Sequence, residues 1–346
     1  MLEPSAPLRL RIDGDALVAN WRAWARLSSP AACGAAIKAD GYGLGAREVM
    51  GRLAAAGARD FFVATWAEAA ALEPWPEDVS VGVLHGPRAA DMPAALGSAA
   101  RPVLNSPEQV QRWRETGRPC DVMVDTGMNR LGLTPEQATS GLLDGLEIET
   151  LHSHLACADE PDHLLNTRQL EATCAVAAAV PASRVSLANS AGVLLGPDYG
   201  FDLTRPGLAL YGGVPGPGGE AYVRPVVRPE AEIIQVRVVQ AGESVGYGAT
   251  WVAERTTRVG ILNLGYADGI LRAFGSGGAA EVDGIACPIL GRISMDLIAV
   301  DLTEVRAGEC AWATLAYDLP ATAARTGLSQ YELLTNLAGR FERRWS

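Results

Sequence analysis

A lysine at the end of a short apolar run opens the chemistry: Lys38 follows Ala35-Ala36-Ile37 and precedes Asp40-Gly41-Tyr42-Gly43-Leu44-Gly45. An amine over an apolar surface loses hydration, so its pKa falls and its lone pair becomes the nucleophile that a Schiff-base lysine must be. A rim lysine that snorkels to water is the structural alternative. The loop favours the nucleophile, because glycines let backbone approach a ligand and the Tyr42 hydroxyl can donate to an anion. Other polar residues also end apolar runs: Asp125 with Arg130 just after it, His154, Asn189-Ser190, and Arg205.

The elements that gather these ends can be read next. Strand-like runs at 33–39, 60–65, 79–85, 101–105, 120–126, 146–155, 184–190 and 201–211 alternate with helical segments, the pattern of a parallel α/β domain. Eight such strands close a (β/α)8 barrel, whose working residues stand at the strand C-terminal ends. Ser106-Pro107 with Gln109, Thr134-Pro135 with Gln137, and Thr65 with Glu68 have the spacing of helix N-caps. Ala46, Val49, Met50 and Leu53 fall on one helical face that stops at Gly57, and 162–180 reads as a long helix. The run Val214-Pro215-Gly216-Pro217-Gly218-Gly219 marks a boundary. Beyond it 233–239, 258–264, 279–282, 285–290 and 297–302 read as strands, with Asp283-Gly284 as a hairpin turn, and a helix is expected over 329–340. The expected organisation is a barrel over residues 8–222 followed by a mostly β domain over 223–346.

Composition removes several function classes. The chain has 346 residues and a formal charge of -11, which disfavours nucleic acid, since phosphate binding needs a basic surface. No apolar run approaches membrane-span length, and 1–10 lacks a signal-peptide pattern, so the expected location is the cytoplasm. Cys33, Cys120, Cys157, Cys174, Cys287 and Cys310 form no C-x-x-C pair, and the histidines number only four, so no metal is expected.

The segment Ala36-Ile37-Lys38-Ala39-Asp40-Gly41-Tyr42-Gly43 resembles the signature of alanine racemases around the lysine that holds pyridoxal phosphate. Val124-Asp125-Thr126-Gly127-Met128-Asn129-Arg130-Leu131-Gly132, His154, Ala188-Asn189-Ser190, Arg205-Pro206-Gly207, Gly246-Tyr247-Gly248-Ala249, Gly265-Tyr266-Ala267-Asp268-Gly269 and Ser294-Met295-Asp296 follow in that family's order. Single tripeptides are weak markers, but ordered matches across both domains are specific. The resemblance implies a homodimeric enzyme that interconverts L- and D-alanine, with Lys38 forming the internal aldimine and acting as one base. Tyr247 of a second subunit is implied as the other base, aided by His154 and Arg205, because racemisation needs proton transfer on both faces of the α-carbon. Arg205 is implied to face the ring nitrogen and keep it unprotonated. Tyr42, Ser190 and the amides near Gly207 and Leu208 are implied to hold the phosphate, with Asn189 supporting that loop. Arg130 is implied to reach the cofactor's phenolic oxygen and the substrate carboxylate, and Tyr266, Met295 and Asp296 of the partner to narrow the entrance around a small side chain.

Two positions depart from that pattern. Many members carry a carbamylated lysine two residues before the aspartate of Asp125-Thr126-Gly127-Met128, where this chain has Met123. Gly339 stands where some relatives place a phosphate-binding tyrosine. Two other functions use the same kind of barrel. A pyridoxal-phosphate carrier would need Lys38 but no second base, so Tyr247 argues against it. A barrel-type decarboxylase would bring a catalytic cysteine in its second domain, which neither Cys287 nor Cys310 matches. Preference among small amino acids, and a role in wall synthesis or in catabolism, stay open.

Overall fold

In the computed structural model, which describes residues 6–306, 311–337 and 339–346, the chain divides into two units, Ala16–Arg224 and Met1–Asp15 joined with Pro225–Ser346. The first is the (β/α)8 barrel. Its first strand is split at Gly34 into Ala32–Cys33 and Ala35–Ala36, and Asp60–Val63, Ser80–Val83, Arg101–Leu104, Cys120–Met123, Ile148–His152 and Arg184–Ser186 follow in parallel. Leu203–Thr204 completes the ring. Backbone N–H groups of Asp202 and Arg205 donate to Val185 and Ala188 on one side, and those of Ala32, Gly34 and Ala36 donate to Asp202, Thr204 and Pro206 on the other. Gly34 is required there, because a Cβ would lie 2.8 Å from the Asp60 carbonyl oxygen.

The expected helices form for the expected reasons. Ser106 caps Pro107–Arg114, and Thr134 with Gln137 closes a reciprocal capping box on Pro135–Thr139. Ala46–Ala56 buries Ala46, Val49, Met50 and Leu53 and ends at Gly57 with φ 117°. Three spans are shorter than periodicity suggests. The long helix runs Leu164–Ala179, the sixth strand stops at His152 rather than 155, and within 201–211 only Leu203–Thr204 is strand, with Leu208–Tyr211 a 3-10 turn.

The second unit is an antiparallel barrel with two added edge strands. Val227–Val239, Thr257–Leu262, Ile298–Asp301, Ile285–Leu290, Ala279–Val282 and Trp312–Leu315 pair round in a closed circuit. Asp283 and Gly284, at φ 50° and 78°, make the hairpin turn expected of their sequence. Leu8–Ile12 corrects the expectation that the barrel domain starts at residue 8. It is a strand of this second sheet, antiparallel to Val227–Val239 and parallel to Glu342–Trp345. Its Leu-Arg-Leu-Arg-Ile alternation buries Leu8, Leu10 and Ile12 on one face, the mark of a half-covered strand. The expected helix over 329–340 is only Gln330–Thr335, because the chain returns to the sheet as Glu342–Trp345. Cys310 lies outside the described residues.

Candidate active site

Lys38 stands at the mouth of the barrel, two residues past the first strand, and is half-buried. The backbone after it is unusual: Ala39, Asp40, Gly41 and Tyr42 all have φ between 53° and 63°, one turn of left-handed helix. Each non-glycine residue there costs about 1–2 kcal/mol, so the surroundings must hold the turn. They do so with hydrogen bonds. Glu68 Oε1 accepts from the Ala39 amide at 2.7 Å, and Asp40 Oδ1 accepts from the Ala46 amide at 2.9 Å. Glu68 also closes the capping box with Thr65. Burial first, then the positive charge of Arg130 and of Arg205, lowers the Lys38 pKa, while Glu68 opposes them.

Beside the lysine lies an anion cradle. Tyr42 is buried and stacks on Tyr211 at a ring separation of 4.5 Å, and Tyr211 donates to the Ala36 carbonyl. Gly207 must be glycine, since a Cβ would fall 2.2 Å from the Tyr42 hydroxyl. Ser190 Oγ accepts from the Gly207 and Ala209 amides at 2.9 and 3.3 Å, which leaves its own O–H to donate. Asn189 Oδ1 accepts from the Gly192 amide and fixes the same loop, and Leu208 opens the turn that follows Gly207.

Arg205 is buried in the barrel. Its Nη1 donates to His152 Nδ1 at 3.2 Å and to Ser186 Oγ, and its Nη2 donates to the Ser153 carbonyl at 2.5 Å. Burial lowers its pKa to about 10, so it remains a cation at neutral pH. His154 is half-buried, and burial with the charges of Arg205, Arg130 and Lys38 pushes its pKa down to about 3. Gln169, buried in the long helix, donates to the His154 carbonyl and accepts from the Ala156 amide, bracing that loop. Asp125 organises the Arg130 loop by accepting from the amides of Gly127, Asn129 and Arg130 at 2.9, 2.9 and 2.7 Å. Met123 is buried beneath that loop, and among the described residues the exposed Arg130 guanidinium has no hydrogen-bond or ion-pair partner. Lys38, Tyr42, Arg130, His154, Asn189, Ser190, Arg205, Gly207 and Leu208 are thus all carried by the barrel unit.

Tyr247, Tyr266, Met295 and Asp296 belong to the other unit. Tyr247 sits in a turn between Gly246 and Gly248 and is 73% exposed. The Tyr266 and Met295 loops touch backbone to backbone, since Tyr266 and Ala267 amides donate to the Ser294 and Met295 carbonyls and a Cβ on Gly265 would meet the Met295 carbonyl oxygen at 2.3 Å. Arg340 ties the group together by pairing with Asp296 at 2.8 Å and with buried Asp268 at 2.6 Å. Burial raises the Asp268 carboxyl against the Gly265 amide and Arg340. A Cβ at Gly339 would meet nothing within 4 Å, so the position is open.

Sequence reasoning passed over Asp121, His152, Ser186 and the second role of Glu68. The available signal was an aspartate inside Cys120-Asp121-Val122-Met123, since a charge within an apolar strand must find a buried partner.

The amine, the buried cation and the hydroxyl-and-amide cradle match the aldehyde, ring nitrogen and phosphate of pyridoxal phosphate in chemical type. Comparisons agree. Residues 12–215 match the model of the alanine racemase N-terminal domain, and 226–345 that of the C-terminal domain. Alanine racemase of Rhodospirillum rubrum is 42% identical over 99% of this chain and 97% of its own. A catabolic alanine racemase of Agrobacterium fabrum is 42% identical over 96% and 91%. The structure is similar to that of alanine racemase from Bartonella henselae with covalently bound pyridoxal phosphate, at TM-score 0.91 and 35% identity over 99% of this chain and all of that one.

Proposed function

The chain belongs to the alanine racemase family and interconverts the enantiomers of alanine with pyridoxal phosphate, and from that premise we propose that Lys38 and Tyr247 are its two bases. The bound cofactor supplies an electron-withdrawing ring that acidifies the substrate's α-proton. The lysine carries the reading. Its desolvated amine gives up its proton easily, so it can bind the cofactor's carbonyl carbon and later move a proton on one face of the substrate. Tyr42, the Ser190 hydroxyl and the Leu208 amide would hold the phosphate, with the Gly207 amide orienting Ser190 and giving the close approach of backbone, and Asn189 steadying the loop. Arg205 faces the ring nitrogen, where a permanent cation keeps that atom unprotonated and discourages side reactions. His154, neutral at working pH, accepts from or donates to Tyr247, and Arg130 takes the substrate carboxylate.

Tyr247 serves the other face from the β domain of a second subunit. Two observations support a homodimer with shared sites. The tyrosine is largely exposed, and the same unit displays Ile234, Val236, Val238, Val252, Met295 and Leu297 to solvent, an apolar display that monomers seldom leave uncovered. Tyr266, Met295 and Asp296 of that partner then close the entrance around a methyl-sized side chain. We also place the enzyme in the cytoplasm. Cys33, Cys120, Cys157 and Cys174 are free thiols, and no described helix is long and apolar enough to cross a membrane.

Exchange of the α-proton with deuterated solvent tests the two faces, because exchange needs one base and racemisation two. In Tyr247→Phe, racemisation should collapse in both directions while exchange persists for D-alanine, served by Lys38, and falls sharply for L-alanine. Equal loss of exchange for both enantiomers would make Tyr247 a structural residue.

A further inference from the structure

Behind Arg205 the barrel interior holds two polar groups that the reaction itself does not use. Asp121 and His152 are almost wholly buried on neighbouring strands, with Asp121 Oδ2 and His152 Nε2 facing each other at 3.7 Å. At that separation they make an electrostatic contact rather than a hydrogen bond, and among the described residues neither atom has a hydrogen-bond partner. The remaining bonds fix the tautomer. A guanidinium can only donate, so His152 Nδ1, at 3.2 Å from Arg205 Nη1, must be the acceptor, and the imidazole's single proton sits on Nε2, toward the carboxylate. Asp121 Oδ1 is held by the Thr150 amide at 3.0 Å and by Arg101 Nε at 3.4 Å, and the Phe62 ring meets the imidazole edge to face at 5.6 Å. The other charge near the imidazole is Arg101, at the far side of Asp121, and the neutral His154 is the remaining titratable neighbour, toward the mouth.

We propose that Asp121 and His152 are positioning residues for Arg205, a carboxylate–imidazole–guanidinium relay through the barrel that holds the cation against the cofactor's ring nitrogen. This rests on the placement of Arg205 proposed above. An isolated buried guanidinium is costly, and the carboxylate behind the imidazole supplies its countercharge without itself taking a guanidinium hydrogen, since the Arg205 side-chain bonds go to His152, Ser186 and the Ser153 carbonyl. The imidazole stays neutral, its pKa pushed by burial down to about 4 against the pull of Asp121. Burial works to raise the Asp121 carboxyl, but His152 and Arg101 outweigh it and keep it ionised.

The test uses the cofactor-loaded enzyme, first free of substrate and then supplied with alanine. Its visible absorption, titrated across neutral pH, reports whether the ring nitrogen takes a proton, and pyruvate released from alanine, with the cofactor left as its amine, reports the side reaction. In Arg205→Lys the ring nitrogen should titrate and pyruvate per turnover should rise several-fold. His152→Leu should show the same titration and a comparable rise, Asp121→Asn a smaller one, and His152→Asn, which keeps an acceptor near the place of Nδ1, should return most of the way to wild type. If Arg205→Lys changes both readouts and His152→Leu changes neither, the relay is overturned while the Arg205 assignment stands. If Arg205→Lys changes neither, that assignment fails and the relay with it. Should His152→Leu not fold, Asp121→Asn decides: a spectrum and a pyruvate yield identical to wild type overturn the relay.

Discussion

Gly207 and Tyr42 share a space that admits only one of a methyl group and a phenol hydroxyl. Gly207→Ala should therefore displace the Tyr42 hydroxyl and weaken pyridoxal phosphate binding. A charge-assisted hydrogen bond contributes about 1.5–3 kcal/mol, roughly ten- to a hundredfold in Kd. Fluorescence titration of the cofactor-free protein would measure it, and an unchanged Kd would remove Tyr42 from the cradle. Adding Tyr42→Phe to Gly207→Ala should cost little more, because the same bond is already lost. Lys38→Ala should abolish the covalent cofactor spectrum and nearly all turnover. A variant that kept a borohydride-reducible cofactor bond at wild-type yield would refute the lysine assignment. At this scale the sequence was most legible where a polar residue comes within two positions after a strand's C-terminal end, as Lys38, Asp125 and Arg205 do. It was least legible at Asp121, His152 and Ser186, whose partners come from other strands.

Between the first strand and Ala46–Ala56 the chain makes a left-handed turn that no local preference favours, and Glu68 holds it from the next helix. One carboxylate thus caps Trp66–Leu72 and sets the lysine loop. Glu68→Ala should lose the cap, at about 1 kcal/mol, and lower the melting temperature by a few degrees. Glu68→Gln keeps the hydrogen bonds and removes the charge. Because that charge raises the Lys38 pKa, its loss should extend the amine's free form to lower pH. The pH midpoint for capture of pyridoxal phosphate by cofactor-free protein should then move down, and a midpoint that moved up would contradict the electrostatic role. The caps Thr65, Ser106 and Thr134 could be read directly because they act within four residues. The left-handed turn could not, since Asp40 and Gly41 tolerate positive φ but Ala39 and Tyr42 carry no signal for it and adopt it only under tertiary constraint.

Across the whole molecule the two sets of active residues lie in different units of the chain. With the shared sites proposed above, mixing inactive Lys38→Ala and Tyr247→Phe proteins should restore activity, as hybrid dimers would contain a site with both bases. Absence of recovery despite proven subunit exchange would count against shared sites. Both the barrel and the β-rich second half were legible from strand spacing and turn chemistry. The strands Leu8–Ile12, Trp312–Leu315 and Glu342–Trp345 were not, because each is short and finds its place only through a distant partner. The pairing of Arg9 with Glu342 also sets an order of events at the ribosome. Ala16–Arg224 can close its ring of parallel strands as soon as it emerges, whereas Leu8–Ile12, translated earlier, must wait for Val227–Val239 on one edge and for the last strand on the other. At about 5–20 residues per second the second wait is on the order of tens of seconds from the synthesis of Leu8–Ile12, during which a nascent chain holds one edge of that strand unpaired, open to whatever chaperone binds exposed β-edges.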